Sequence, residues 1–311
     1  MKKIILLAFV VCIIMACKST PVDENNPGVG PELTVVIPEL FSPSPDVVDD
    51  TMTILITVKH TAVIKDWHIT IQAMRQRLTP EQLAQLSARG DQARQRTGQQ
   101  RQRQAFFEQT GAGTPPARWA WNGRSTSRLN EGGVGEMVQS ATAYQFVLAV
   151  SDIFGNSSTY EGIINVDVIV RRDGDKLRIV VPAITFEADQ SNFSQVVDKK
   201  LSEEEVNSNR RVLRLIANAL GKYPGYNITI EGHANPTTAP KTRARTNEED
   251  ILKTLSERRA RAVGEYLTAN HNINAARFKF AGMGADRVVV DFNDDAEEKW
   301  KNRRVEFILD R

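Results

Sequence analysis

The hydrophobic period of this chain changes once, and that change limits what it can fold into. From Val35 to Val181 apolar residues recur at every second position. Met52, Ile54, Ile56 and Val58 alternate with Thr51, Thr53, Leu55 and Thr57, and Trp67, Ile69 and Ile71 alternate with Asp66, His68 and Thr70. Tyr144, Phe146, Leu148 and Val150 follow the same rule, as do Ile164, Val166, Val168 and Val170. Successive side chains of a strand point to opposite faces, so each segment is expected to bury one face only. Turn chemistry separates the segments: Gly132-Gly133, Asp152 to Asn156 with Gly155, and Asp173-Gly174 ahead of Leu177, Ile179 and Val181. The pattern predicts an all-β sandwich over 35–181.

Beyond Pro182 the pattern becomes strand and helix in alternation. Ala183 to Phe186 reads as a strand, and Glu203 to Leu220 as a helix with Val206, Leu213, Ile216 and Leu220 on one face. Asn227 to Glu231 is the next strand, and Leu255 to Ala269 a helix with Ala260, Val263 and Leu267 inward. Arg277 to Ala281 and Arg304 to Leu309 complete the set. Helices on one face of a small mixed sheet give an α+β domain over 182–311, so the chain is expected to be multidomain.

One stretch fits neither period. Arg75 to Gln104 holds nine Gln and seven Arg, with only Glu81 and Asp91 as acids, and Thr79-Pro80-Glu81 is a helix start. It reads as an insertion, helical or disordered, over 75–110. Stacking aromatics are missing until Phe106-Phe107, which argues against a nucleic-acid arm.

The N-terminus carries an address. Lys2 and Lys3 precede the apolar run Ile4 to Ile14, whose eleven residues are too few to span a bilayer but suit a signal-peptide core over 1–16. The run ends Ile14-Met15-Ala16-Cys17, which resembles a bacterial lipobox; the resemblance implies that Cys17 is acylated and becomes the first mature residue. Pro21, Pro27, Pro31, Gly28 and Gly30 then make 17–34 a short tether. Removal of Lys2 and Lys3 takes the 40 basic side chains to 38, equal to the 38 acidic ones, so no global field exists for capturing a charged polymer.

The residue inventory also limits the chemistry. Cys12 and Cys17 are the only cysteines, which removes any disulfide framework or Cys-based zinc site from the body of the chain. His60, His68, His233 and His271 show no metal spacing, and no nucleophile motif is present. The expectation is therefore no catalytic residue, no metal, no cofactor and no nucleic-acid partner. Gly282-Met-Gly284 lacks a third glycine and a following helix and reads as a turn.

Two family resemblances refine this picture. Phe41-Ser-Pro-Ser-Pro-Asp46, Trp119-Ala-Trp121-Asn-Gly123-Arg124, Ala143-Tyr144-x-Phe146 and Asp152-Ile-Phe-Gly155-Asn156 resemble extracytoplasmic Ig-like modules of the FlgD type, which implies a spacer or a contact with an envelope protein partner. Ile230-Glu231-Gly232-His233, Leu255-Ser256-Glu257-Arg258-Arg259-Ala260, Gly282-Met-Gly284 and Asn302-Arg303-Arg304-Val305-Glu306 resemble the OmpA-like C-terminal domain, which binds peptidoglycan. That family grips a stem-peptide diamino acid, an Asp meeting the amine and an Arg meeting the carboxylate. The resemblance carries the Arg onto Arg259, at a helix N-terminus, and the Asp onto Asn235, with His233 beside it and Arg303 and Arg304 at the rim or paired with Glu306 and neighbouring carboxylates. The family's Asn falls on Leu252, and the segment from Asn235 to Leu255 is longer than the pattern needs, with Lys241, Arg243 and Arg245 in it. The implied function is a non-catalytic envelope lipoprotein, anchored through Cys17 to an outer membrane facing the periplasm and touching the cell wall. The alternative is an envelope scaffold whose OmpA-like domain no longer binds peptidoglycan.

Overall fold

The computed structural model describes residues 26–44, 50–74, 105–130, 132–196, 200–294 and 298–311. The expected signal segment 1–16, Cys17 and the Gln/Arg-rich segment 75–104 lie outside them.

The first unit contains β1 (Glu32–Val36), β2 (Met52–Lys59), β3 (Ile64–Ala73), β4 (Phe107–Ala112), β5 (Arg118–Trp121), β6 (Arg124–Leu129), β7 (Gly135–Met137), β8 (Ala143–Asp152) and β9 (Ser157–Asn165). A three-stranded sheet in the order β1-β2-β5 and a four-stranded sheet β4-β3-β8-β9 share one core, with β6 and β7 as a separate hairpin. All these pairings are antiparallel. Each strand inserts its expected face: Ile54, Ile69, Ile71, Phe146, Leu148 and Ile164 are fully buried. Trp119 and Trp121 are core, not surface anchors, and each places its indole N–H on an acceptor, Gln109 Oε1 at 2.9 Å and Arg124 O at 3.0 Å. A buried indole needs such a partner to avoid stranding its donor.

The insertion is shorter than expected. Phe106 is buried in the core and Phe107–Ala112 pairs with β3, so 105–110 belongs to the sandwich rather than to an inserted arm. Glu108, Gln109 and Thr110 are polar in succession and all exposed, which left too little apolar signal to reveal an edge strand.

The second unit is built on a five-stranded mixed sheet. β10 (Val170–Asp173) and β11 (Lys176–Val181) form a hairpin, followed by α1 (Glu203–Gly221), β12 (Asn227–Gly232), α2 (Arg243–His271), β13 (Phe278–Gly282) and β14 (Val305–Asp310). The sheet order is β10-β11-β14-β12-β13, with β12 and β13 parallel and the other pairs antiparallel. Ile179, Val181, Ile228, Ile230, Phe307 and Leu309 face the helices and close the core with Leu213, Ile216, Val263 and Leu267. Ser202 and Glu205 form a capping box at α1, and Asn272 ends α2 in the left-handed region at φ 54°.

Three boundaries differ from the sequence reading. The hairpin β10–β11 pairs with β14, so Val170–Val181 serves the second sheet and not the sandwich that was expected to run to Val181. Periodicity specifies which face of a strand is buried, not which sheet buries it. Ala183 to Phe186 is no ladder strand; the Asn209 amide holds it by accepting from Thr185 N–H and donating to Thr185 O, both at 2.8 Å. Finally, α2 starts at Arg243, twelve residues before the expected Leu255. Its early turns are charged on nearly every side, so no apolar stripe announced them. Among the described residues no helix is long and apolar enough to cross a membrane.

Candidate functional site

The site is assembled where β12 and β13 end against α2. A Cβ on Gly232 would lie 1.9 Å from the Ser256 carbonyl oxygen, and one on Gly282 would lie 2.1 Å from that of Lys253. Only glycine permits that approach. The chain then leaves β12 through backbone bonds from His233 N–H to Arg304 O and from Ala234 N–H to Gly284 O, while Ser256 Oγ accepts from Gly284 N–H. Gly282-Met283-Gly284 is thus a turn packed on a helix, as its sequence implied, with Gly284 at φ 49°.

These bonds deliver Asn235, half-buried, to the side chain of Asn302, which is 1% exposed. Asn302 Oδ1 accepts from Val289 N–H at 2.8 Å and Val290 N–H at 3.0 Å, which fixes the orientation of its amide. Its Nδ2 therefore donates to Val290 O at 2.7 Å and to Asn235 Oδ1 at 3.0 Å. Asn235 in turn directs Nδ2 to Pro236 O at 3.1 Å. The carbonyl expected to meet a ligand amine already has one donor, leaving one lone pair.

Arg259 lies in the middle of α2, not at a helix N-terminus, because the helix begins sixteen residues earlier. The backbone N–H groups around it are bonded within the helix and offer an anion nothing. The residue is 8% exposed; Nε donates to Gln190 O at 2.9 Å, Nη2 to Glu187 O at 3.3 Å, and the guanidinium carbon stands 4.9 Å from the Phe186 ring centre. Among the described residues no carboxylate lies within ion-pair distance. Burial, followed by the charge of Arg303, pushes the Arg259 guanidinium down to about 10, so it is still charged at neutral pH. Desolvation lowers Arg303 as well, although that residue as a whole is exposed. Asp189 offsets part of this repulsion from a distance, but among the described residues no carboxylate pairs directly with the inner guanidinium, so the place favours an anion.

His233 and Arg304 sit elsewhere in this corner. Arg304 is 5% exposed and donates from Nε to Glu306 Oε1 at 2.7 Å and from Nη2 to Arg287 O at 2.9 Å, so it is a buried ion-pair partner and not a rim contact. Glu306 also meets Arg178 at 2.5 Å, and Glu231 meets Arg287 at 3.2 Å. His233, 2% exposed, stands 3.6 Å from Glu231 and 3.5 Å from Glu306, and its nearness holds the Glu231 carboxyl below its ordinary value. Glu231, His233 and Glu306 bring ligand atoms within 4.8 Å of one another. Three guanidiniums already neutralise the two carboxylates, so a divalent cation would have to displace them to bind there.

The segment expected to be a long basic loop is mostly helix. Only 233–242 is loop, and Glu248 on α2 clasps it: Thr237 donates from N–H at 2.8 Å and Oγ1 at 2.6 Å to one carboxylate oxygen, and Thr238 from N–H at 3.2 Å and Oγ1 at 2.5 Å to the other. Burial alone would raise Glu248, but these four donors outweigh it and bring it to about 2. Leu252, at the family's Asn position, is 8% exposed in a small apolar cluster with Ala234 and Ala285.

The comparisons with known proteins fall on this same unit. Residues 200–303 match the model of the OmpA family. They form an OmpA-like domain. Outer membrane porin F of Pseudomonas aeruginosa is 35% identical over 94 residues, which cover 30% of this chain; the match spans 24% of that relative's length. Among solved structures, a MotB-like protein from Desulfovibrio vulgaris aligns at 19% identity and TM-score 0.34, covering 47% of this chain and 82% of that one. The OmpA-like domain of a Francisella tularensis protein aligns at 18% identity and TM-score 0.32, covering 46% and 79%. Within the OmpA-like domain, the motif includes Asn302 but does not disclose its role, since its partners lie on two separate loops. Of the two arginines expected at the rim or in ion pairs, Arg303 is exposed and Arg304 is the buried partner of Glu306.

Proposed function

We propose that this chain is a non-catalytic envelope lipoprotein whose OmpA-like domain associates with peptidoglycan. Acylation of Cys17 and a tether over 17–34 would hold one end to a membrane, the outer one by family resemblance, while an Ig-like sandwich of the FlgD type acts as spacer or protein contact. The observation that carries the wall contact is Arg259: a buried guanidinium, fixed by two backbone carbonyls and a phenyl ring, with no carboxylate partner among the described residues. A stem-peptide carboxylate supplies the missing charge, and a charge-assisted bond of this kind is worth roughly 1.5–3 kcal/mol. Asn235 offers its remaining lone pair to the amine with less strength than a carboxylate would.

A second reading has an observation of its own. The Asn235 carbonyl is partly satisfied by Asn302, and Leu252 has turned the neighbouring position apolar, both consistent with a scaffold that has lost its wall ligand. Co-sedimentation of the chain with purified peptidoglycan separates the two. Retention of the native chain, weakened at least tenfold in Arg259→Gln, supports the wall contact; equal partition of both variants into the supernatant leaves the scaffold.

A further inference from the structure

The turn that carries Asn302 has a second set of contacts, and they come from the first unit. Arg128 and Glu136 stand on the β6–β7 hairpin; Glu298 precedes the helical turn Lys299–Asn302 and Lys301 lies within it. Arg128 Nη2 lies 2.6 Å from Glu298 Oε1, Lys301 Nζ lies 2.9 Å from Glu298 Oε2 and 2.5 Å from Glu136 Oε1, and Glu136 Oε2 closes the circuit 3.7 Å from Arg128 Nη1. The four charges alternate in sign around a ring, two from each unit. Their side chains are between 11% and 28% exposed, dry enough for the pairings to exceed ordinary surface ion pairs. The residue after Lys301 is Asn302, whose amide fixes Asn235.

We infer that the β6–β7 hairpin is part of the ligand site: Arg128 and Glu136 are positioning residues that hold the Lys299–Asn302 turn and, through it, the Asn302–Asn235 amide pair. Four directional bonds leave the Asn302 side chain in as many directions, so a shift of its backbone cannot preserve all of them. Release of the ring loosens the turn, frees Asn235 to rotate and moves Arg303, the next residue, relative to Arg259. The unit regarded as a spacer thereby sets the affinity of the unit that binds. The coupling to a ligand rests on the wall-binding reading above; the coupling to the amide pair does not.

The test uses the full chain and two readouts. Hydrogen exchange reports the amides of Val289 and Val290, whose N–H groups are held by Asn302 Oδ1, with the core amides of Ile228 and Ile230 as internal reference. Glu136→Ala and Lys301→Met are expected to speed exchange at Val289 and Val290 about tenfold while the reference amides keep their rates, and Lys301→Arg is expected to restore protection. Unchanged exchange at Val289 and Val290 in both variants overturns the inference, whatever the wall does. Peptidoglycan co-sedimentation is the second readout. Where the native chain pellets, the same variants should bind about tenfold more weakly and Lys301→Arg should not; faster exchange with unaltered binding overturns the role in the site. Where the native chain does not pellet, the wall reading fails by itself and the exchange data still decide whether the hairpin holds the amide pair.

Discussion

Asn235→Asp, which puts a carboxylate where an amide stands, should weaken the fold at neutral pH, and the contacts of Asn235 give the size of the effect. Asn302 Nδ2 can donate to an aspartate oxygen as it does to Asn235 Oδ1, so that bond survives. The other oxygen replaces Nδ2, which now donates to Pro236 O at 3.1 Å; two acceptors face each other across that distance instead. The loss of one hydrogen bond and the repulsion that replaces it amount to about 2 kcal/mol. A penalty on the ionised form raises the folded-state pKa of the introduced carboxyl, and about 2 kcal/mol corresponds to about 1.5 pH units above an unfolded value of about 3.9. The sign follows from linkage. Below about pH 4 the carboxyl is protonated in both states, its O–H can donate to Pro236 O, and the variant should match the native chain within about 0.5 kcal/mol. As pH rises through about 5.5 the folded state loses its proton against a penalty, and the full deficit is present at about pH 7. Urea unfolding of the two chains at about pH 4 and about pH 7, read as midpoints with a common slope, measures it. An Asn235→Asp chain as stable as the native one at neutral pH would show that residue 235 rotates freely, and the account of Asn302 as its anchor would fall. If the wall contact exists, the same variant should pellet with peptidoglycan roughly ten- to a hundredfold more tightly, from the charge-assisted bond to the amine.

Three further outcomes follow from the geometry. Gly232→Ala places a methyl carbon 1.9 Å from Ser256 O and should cost more than about 3 kcal/mol or prevent folding, read by circular dichroism, whereas Gly225→Ala, which meets nothing, should be close to neutral. Trp121→Ala removes a side chain that is 2% exposed at the centre of the sandwich and should lower stability by about 3–5 kcal/mol in thermal unfolding. Glu248 has a depressed carboxyl pKa, so its contribution is present above about pH 4.5 and fades as pH falls towards about 2; Glu248→Gln should flatten the acid limb of the stability curve and leave the rest of its shape unchanged.

The sandwich strands were legible because a period of two, sustained over six or more residues, has one physical cause: half of each strand is dry. Met52, Trp67, Tyr144 and their partners were all found inward. The allegiance of β10 and β11 was not legible, since Leu177, Ile179 and Val181 look the same whether they cover a sandwich or two helices. The early turns of α2 were hidden for the opposite reason. Residues such as Glu248 and Arg245 are held in the helix through polar bonds to the preceding loop, and polar bonds leave no period in the sequence. The same distinction separates what the OmpA-like motif revealed from what it concealed. It announced Arg259, a buried guanidinium, but placed it at a helix end, where an anion would have been met by free N–H groups, and not in the middle of α2. It quoted Asn302 without function, because the value of that amide lies in where its four bonds go. The proposed site depends on its charged residue and also on the amide pair that orients it, and that pair is tied through the Glu298–Lys301 ion pairs to Arg128 and Glu136 of a different sheet. Substitution at Arg259 tests the charge; only substitution at the ring tests the orientation, and the two need not fail together.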